Sequence, residues 1–563
     1  MAKLVKKKKK KKLGGFSGAS GGSGVETSPL RPQLIEKMPP CINKCPNHNQ
    51  IREILMTISK AEDYEKTYDQ ALEEAFYLWL ETTPFPSVCG RVCPHPCESE
   101  CNRKALEGAV GINSLERFIG DWGLKKGLAP RKLTEESRPE KIAVIGSGPA
   151  GMSCAYHLAR RGYQVTVFEA FPKAGGMLRY GIPDYRLPTD ILDAEINRIL
   201  QMGVELKLDT VIGKDIPYND LQKEYKAIFV GIGAHKGLKL RIEGEDAENV
   251  YTGTDFLHRV NAGERPDVGN NVVVIGGGDT AIDAARVSRR LGANATILYR
   301  RTKTEMPAID EEIDGAIDEG VNIEFLAAPI EIYRNNGKAT GMKCQRMELG
   351  EPDSSGRRRP VPIEGDTFDV DITTLIAAIS QEPDFEGFED FIEGRDWIKT
   401  DDKFKTKVAD VFSGGDDVNL GIAIDAIYHG RRAAAAIHEG ITTEAIPAEY
   451  GQDMNVVLSE VMCLTYYEQK PRVELNHMPV EERFKAIDAE ITSTLDQDAA
   501  IAEAKRCMSC GKCFDCGTCW SYCQDNAIVK PLKRGDPYKI KMEFCNGCKK
   551  CAENCPCGYI EMH

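Results

Sequence analysis

The chain has 563 residues, more than one hydrophobic core serves, so three or four domains are expected. Its composition, 42% hydrophobic and 28% charged, is that of an ordinary globular protein, and a net charge of −13 argues against nucleic-acid binding. No uncharged apolar run of about 18 residues occurs, so no membrane span is expected. The N-terminal lysines have no apolar segment behind them, which argues against a secretory leader.

Lys6 to Lys12 is an unbroken run of lysines, continued by a Gly/Ser-rich stretch from Gly14 to Gly24. Like charges repel and nothing apolar anchors them, so residues 1–31 are expected to be a disordered tail. From 32 to 130 the periodicity is helical, as in Ile51–Lys60 and Tyr68–Leu80, broken by the Cys/Pro-rich run Cys89–Cys101. After the charged linker Arg131–Glu140, short Val/Ile strands alternate with helices, the pattern of an α/β fold. The predicted strands are Lys141–Ile145, Gln164–Phe168, Ala227–Val230, Asn271–Ile275 and Ala295–Tyr299, and a helix over Gly421–His438 closes the region. Residues 451–505 read as a polar helical linker and 506–563 as a Cys-rich closing domain.

Two segments of the α/β region share one design. In the first, a strand runs into Gly146-Ser-Gly148-Pro149-Ala150-Gly151, then a helix, a second strand and Glu169. Gly146 permits the tight turn, Gly148 the approach of a pyrophosphate, and Gly151 close helix–strand packing, while Glu169 suits ribose hydroxyls. The second runs into Gly276-Gly277-Gly278-Asp279-Thr280-Ala281, but its second strand ends in Arg300 and Arg301. A carboxylate there would repel a 2′-phosphate, whereas guanidinium groups pair with one. FAD is therefore expected at 138–250 and 375–450, and NADP(H) at 251–374, with NAD(H) as the alternative. Gly176, Met177, Leu178, Arg179, Ile182 and Arg186, in the glycine-opened loop after Glu169, are expected to reach the flavin, as are Gly415 and Asp416. Hydride transfer needs position rather than an acid or base, so no catalytic residue is assigned.

Twenty cysteines cluster at two- and three-residue gaps, which suits metal ligation in a reducing compartment such as the cytoplasm. Cys513-x2-Cys516-x2-Cys519-x3-Cys523 and Cys545-x2-Cys548-x2-Cys551-x3-Cys555 are two copies of the bacterial ferredoxin spacing. The fourth cysteine of each copy crosses over. One [4Fe–4S] cluster is expected on Cys513, Cys516, Cys519 and Cys555, the other on Cys545, Cys548, Cys551 and Cys523. Cys507, Cys510 and Cys557 fall outside that register and are read as non-ligands. No paired-cysteine redox centre lies between 102 and 506, so Cys154, Cys344 and Cys463 read as buried small residues.

With Cys41-x3-Cys45-Pro46, Gly90-Arg-Val-Cys93-Pro94, Cys97, Cys101, Gly175-Gly-Met-Leu-Arg-Tyr-Gly-Ile-Pro183 and Tyr299-Arg-Arg301 added to the glycine motifs, the chain resembles the glutamate synthase small (beta) subunit family. That family is shared by the N-terminal part of dihydropyrimidine dehydrogenase and by the large subunit of ferredoxin–NADP transhydrogenase. The resemblance implies two Rossmann-like dinucleotide domains of the glutathione-reductase type, preceded by a helical iron–sulfur domain and followed by a ferredoxin-like 2[4Fe–4S] domain. It implies a cluster on Cys45, Cys93 and Cys97, with Glu116 at the fourth position, or Cys41 or Cys101 in its place. The family's opening Cys-x2-Cys pair upstream of Cys41 is absent, so a second N-terminal cluster, left with Cys41 and Cys101, is expected to be lost. Ser380 stands where relatives carry Gly. The C-terminal stretch from Arg506 looks most like flavoproteins that accompany dissimilatory sulfite reductase, which would make that enzyme the electron-transfer partner. A glutamate synthase or transhydrogenase-type subunit is a second reading, a non-catalytic relay adaptor a third; a homo-oligomer stays open.

Overall fold

The structure is a computed structural model that describes residues 27–354, 356–392, 397–445 and 449–563. The Lys6–Lys12 run lies outside the described residues.

Strands Lys141–Ile145, Gln164–Phe168 and Asn271–Ile275 each bury four consecutive residues behind an exposed first one. Such runs need cover on both faces and so favour parallel sheets wrapped by helices. The first sheet orders Val411–Ser413, Ala227–Val230, Lys141–Ile145, Gln164–Phe168 and Glu205–Lys207, all parallel. The second repeats the plan with Asn322–Phe325, Asn294–Tyr299, Asn271–Ile275, Thr374–Ala377 and Val250–Thr252. In both, the glycine-rich turn leaves the central strand where the strand order reverses, the crevice in which open α/β sheets hold their ligands.

The second half carries an antiparallel sheet of Ala327–Asn335, Lys338–Pro352 and Arg358–Asp371. The two halves are joined by the short ladder Lys236–Gly237 with Gln381–Glu382 and by a buried ion pair, Arg186–Asp283 at 2.7 Å. Tyr185 donates to Asp283 at 2.9 Å and sits in the second half's core.

Ahead of both halves, helices Ile51–Ser59, Tyr68–Leu80 and Ile112–Lys125 pack Ile54, Leu55, Phe76, Trp79 and Leu115 into a core of their own. A capping box of Thr67 and Gln70 starts the middle helix.

Two expectations change. Residues 451–505 are not a helical linker: only Val480–Arg483 and Gln497–Ala504 are α-helical. The segment runs as a strap, pinned by Glu490 to Arg91 and Arg117 at 2.7 Å each and by Arg483 to Glu319 at 3.1 Å. The polar composition that reads as helix is spent on these ion pairs. At the other end, Ser28 donates to the Asn546 carbonyl at 3.2 Å, and Pro32–Leu34 pairs with Ile560–Met562. Residues 28–31 thus belong with the C-terminal domain rather than with a tail, and 32–34 with that domain rather than with the helical one. No helix among the described residues is long and apolar enough to cross a membrane.

Candidate redox site

The first cleft, about 450 Å³, opens along the first glycine turn. A Cβ on Gly146 (φ +96°) would stand 2.2 Å from the Gly231 carbonyl, and one on Gly151 1.9 Å from the Gly146 carbonyl. Strand and helix therefore touch backbone to backbone. Gly148 faces open space apart from Gly176 at 3.9 Å, which leaves the N-terminus of helix Pro149–Ala159 accessible to a pyrophosphate. Pro149, Ala150, Gly176, Met177, Gly415 and Asp416 complete this lining.

Buried Glu169 accepts from the Ser147 amide at 2.9 Å and from the Ser147 hydroxyl, and its other oxygen accepts from the Phe171 amide at 2.9 Å. Across the cleft, burial pushes Asp416 up to about 6, and its carboxylate accepts from the Gly421 amide at 3.2 Å. The apolar bulk and glycine cradle fit a flavin dinucleotide. Lys214, His235 and Asp384 also line the cleft, and no motif marks them. Burial, with His258 beside it, lowers His235 to about 4.

Four expected flavin contacts are displaced. Leu178 and Ile182 pack in the first half's core. Arg179 donates to the Ala174 carbonyl and pairs with Asp193; Arg186 pairs with Asp283 and Glu312. The single helical turn Met177–Tyr180 carries the chain away from the cleft behind Gly176. These residues brace the loop and the domain junction.

The second cleft, about 560 Å³, is lined by Gly276, Gly277, Gly278, Thr280, Arg300 and Arg301, and also by Ser380 and Gln381 from the joining ladder. A Cβ on Gly276 (φ +149°) would meet the Ala378 carbonyl at 2.2 Å. Asp279 does not line the cleft; it accepts from the Ile309 amide at 3.1 Å. The arginines separate in role. Arg301 is buried, donating to Asp353 at 2.8 Å and the Arg358 carbonyl at 2.7 Å, so its guanidinium is largely committed. Arg300 is exposed, with no ion-pair partner among the described residues. Arg357, from the turn before Arg358–Asp371, reaches the same cleft. Sequence reading misses it because 57 residues separate it from the motif. The clefts adjoin: Gly421 lines the second and bonds Asp416 of the first.

The cysteines gather into four groups. Cys93 feels Glu116 and Cys45, and Cys97 feels Cys45 and Cys93; burial and these neighbours raise both thiols. Glu116 is held in place by Trp79, which donates to it at 2.6 Å. This is the group the family resemblance implies. Cys89 beside it packs in the first half's core.

The second group corrects the expectation. Burial and the neighbouring Cys101, Cys507 and Cys510 push Cys41 well above the usual thiol range. Cys507 is pushed up to about 12 by burial and Cys101, and Cys510 is raised by burial, Cys507 and Cys101. Cys507 and Cys510, read from the sequence as lying outside any set, thus stand beside Cys41 and Cys101. The remaining groups follow the crossed ferredoxin pattern. Cys519 feels Cys516, Cys513 and Cys555, while Cys523, Cys545, Cys548 and Cys551 line one small cavity. Among the described residues no three His, Cys, Asp or Glu side chains converge closely enough to hold a single metal ion. A four-iron cluster instead takes thiolates at the corners of a cage, and neighbouring cysteines whose ionised forms would repel are a donor set that such a charge would compensate.

Adjoining dinucleotide clefts backed by cysteine groups define a pyridine-nucleotide oxidoreductase fold with iron–sulfur domains. The family described as pyridine nucleotide-disulphide oxidoreductase matches residues 140–440, and that described as dihydropyrimidine dehydrogenase domain II, 4Fe-4S cluster, matches 35–128. The chain is 36% identical to the glutamate synthase [NADPH] small chain of Escherichia coli over 71% of its own length and 88% of that protein. It is 43% identical to the NADPH-Fe(3+) oxidoreductase subunit beta of Geobacter sulfurreducens over 62% of its length, spanning only 52% of that relative. With the NADP(+)-dependent formate dehydrogenase subunit beta of Moorella thermoacetica it shares 36% identity over 84% of its length and 70% of the relative. The chain belongs to the glutamate synthase small chain family of NADPH-dependent iron–sulfur flavoproteins.

Proposed function

We propose that this chain moves electrons between NADP(H) in the second cleft and a protein partner, by way of FAD in the first cleft and four [4Fe–4S] clusters. The carrying observation is the Asp416–Gly421 bond, which makes the two clefts neighbours. When bound, FAD exchanges a hydride with the nicotinamide and releases electrons singly, as the clusters carry them.

The chain's own residues do the positioning. Gly146, Gly148 and helix Pro149–Ala159 would seat the flavin pyrophosphate, Glu169 the ribose and Asp416 the ribityl side. Arg300, with Arg357, would face the 2′-phosphate, while Arg301 holds the hairpin bearing Arg357. The cysteine groups are ordered outward. Asp425 lies near both Asp416 and Cys93. Cys97 feels Cys41. Tyr467 sits among Cys510, Cys507, Cys557 and Cys516, between the second and third groups.

Purified, reconstituted protein should reduce a dye such as ferricyanide with NADPH; failure with both NADPH and NADH would reject the reading. Four clusters require about sixteen iron atoms per flavin, three require about twelve. Arg300→Ala should cost NADPH about ten- to a hundredfold in kcat/KM and leave NADH use unchanged; equal losses would reject the 2′-phosphate role. The C-terminal resemblance favours a dissimilatory sulfite reductase as partner, and the name of the Escherichia coli relative favours a glutamate synthase large subunit. Identification of the co-purifying protein separates the two.

A further inference from the structure

The face of the C-terminal domain around the fourth cysteine group is strongly basic. Residues 528–550 hold seven basic and two acidic side chains, in a protein of net charge −13. Arg534 is committed to Asp63 at 2.6 Å. Lys530, Lys533, Lys539, Lys541, Lys549 and Lys550 have no carboxylate partner among the described residues. Positive charge near a thiolate-bound cluster is ordinary compensation, but the neighbouring group does without it. Residues 507–527 hold one lysine, Lys512, and that lysine pairs with Glu53 at 3.0 Å.

Within the basic rim lies an apolar centre. Trp520 is 49% exposed, Tyr522 50%, Met542 45% and Phe544 56%, and Leu532 on the hairpin tip is fully exposed. Trp520 and Tyr522 flank Cys523 by one to three positions, and Met542 and Phe544 immediately precede Cys545. Cys523 and Cys545 line the same small cavity, so both aromatic groups border one cluster seat. Lysines overlie the rings: Lys530 Nζ is 5.9 Å from the Trp520 ring centre and Lys541 Nζ 5.7 Å from that of Phe544. Aromatic and Met side chains inside a charged rim are the composition of a protein-docking patch.

We propose that this face, built on hairpin strands Ile528–Val529 and Lys539–Ile540 and the turn Met542–Phe544, docks the acidic face of a redox protein and passes electrons across it. The inference rests on the electron-transfer function proposed above and identifies its exit. Charge complementarity selects the occupant: unpaired lysines steer an acidic partner, and the aromatic centre gives a protein an apolar contact that a polyanion would leave unused. The outermost cluster seat lies directly beneath.

The test follows NADPH-driven reduction of flavodoxin, an acidic carrier, of cytochrome c, a basic one, and of ferricyanide. Flavodoxin reduction should fall by at least about tenfold from low to high salt, with no such fall for cytochrome c. The variant Lys530→Glu/Lys539→Glu/Lys541→Glu should lose flavodoxin reduction to a similar degree, with ferricyanide reduction and iron content kept. The triple Lys→Arg variant should keep all three, and Trp520→Ala/Phe544→Ala should slow flavodoxin reduction without altering its salt dependence. Salt-independent flavodoxin reduction, or a charge-reversed variant as active as the parent, would overturn the proposal. So would loss of binding to phosphatidylserine vesicles as the only effect of charge reversal, which would assign the face to a lipid surface. Parent protein that reduces no acceptor, ferricyanide included, defeats the underlying function instead.

Discussion

The cysteine seats of this protein are built on two opposite plans. The outer pair draws all eight thiols from residues 513–555, at spacings that alone announce a ferredoxin. The inner pair is assembled: Cys45, Cys93, Cys97 and Glu116 come together from four helices or their ends, and Cys41 and Cys101 meet Cys507 and Cys510 from more than four hundred residues away. A local seat needs a loop; an assembled seat needs the tertiary path to be right. Here that path is held by Arg506, whose buried guanidinium donates to the carbonyls of Gly108, Ala109 and Lys470 and pairs with Glu503 and Glu107.

The comparison breaks most visibly at the borrowed pair. Cys507→Ala/Cys510→Ala should remove about four iron atoms per chain, keep NADPH–ferricyanide activity at the flavin, and stop reduction of the outer clusters followed by electron paramagnetic resonance. Undiminished iron would return the two cysteines to bystanders. Next in size, Arg506→Met takes the guanidinium from buried Glu503, while Glu107 keeps Arg103, and should lower stability by about 3–5 kcal/mol in denaturant unfolding, whereas a substitution at exposed Lys533 should cost far less. Glu116→Gln should keep its iron yet raise the reduction potential of one cluster, since a carboxylate that would bind that cluster ionised becomes a neutral amide; unmoved potentials would reduce Glu116 to the acceptor of Trp79. Smallest of all, Cys557→Ser should leave iron content unchanged, although Cys557 Sγ lies 3.8 Å from Cys555 Sγ.

The sequence discloses what is contiguous. The parallel strands and the glycine turns that end them stand where the pattern puts them, because each motif spans one strand–turn–helix. The errors share a cause. Arg186 and Arg179 look like flavin contacts by proximity in sequence to Gly176, but one helical turn sends them to Asp283 and Asp193. Arg301 looks equivalent to Arg300 until a hairpin some fifty residues later occupies it through Asp353. Cys507 and Cys510 look like stray ends of the ferredoxin ladder because nothing local shows that the strap returns them to Cys41. Spacing cannot reveal a neighbour that lies more than four hundred residues away.

That return path has a consequence for biosynthesis. A ribosome releases the helical N-terminal domain first, with Cys41 and Cys101 already in place but half of their set still unmade. Strand Pro32–Leu34 likewise waits for Ile560–Met562, made more than five hundred residues later. Contacts of such sequence separation form late. With the cluster proposed on Cys41, Cys101, Cys507 and Cys510, the inner seat would close only after the segment bearing the last two has been made and folded back, and its iron would certify that closure.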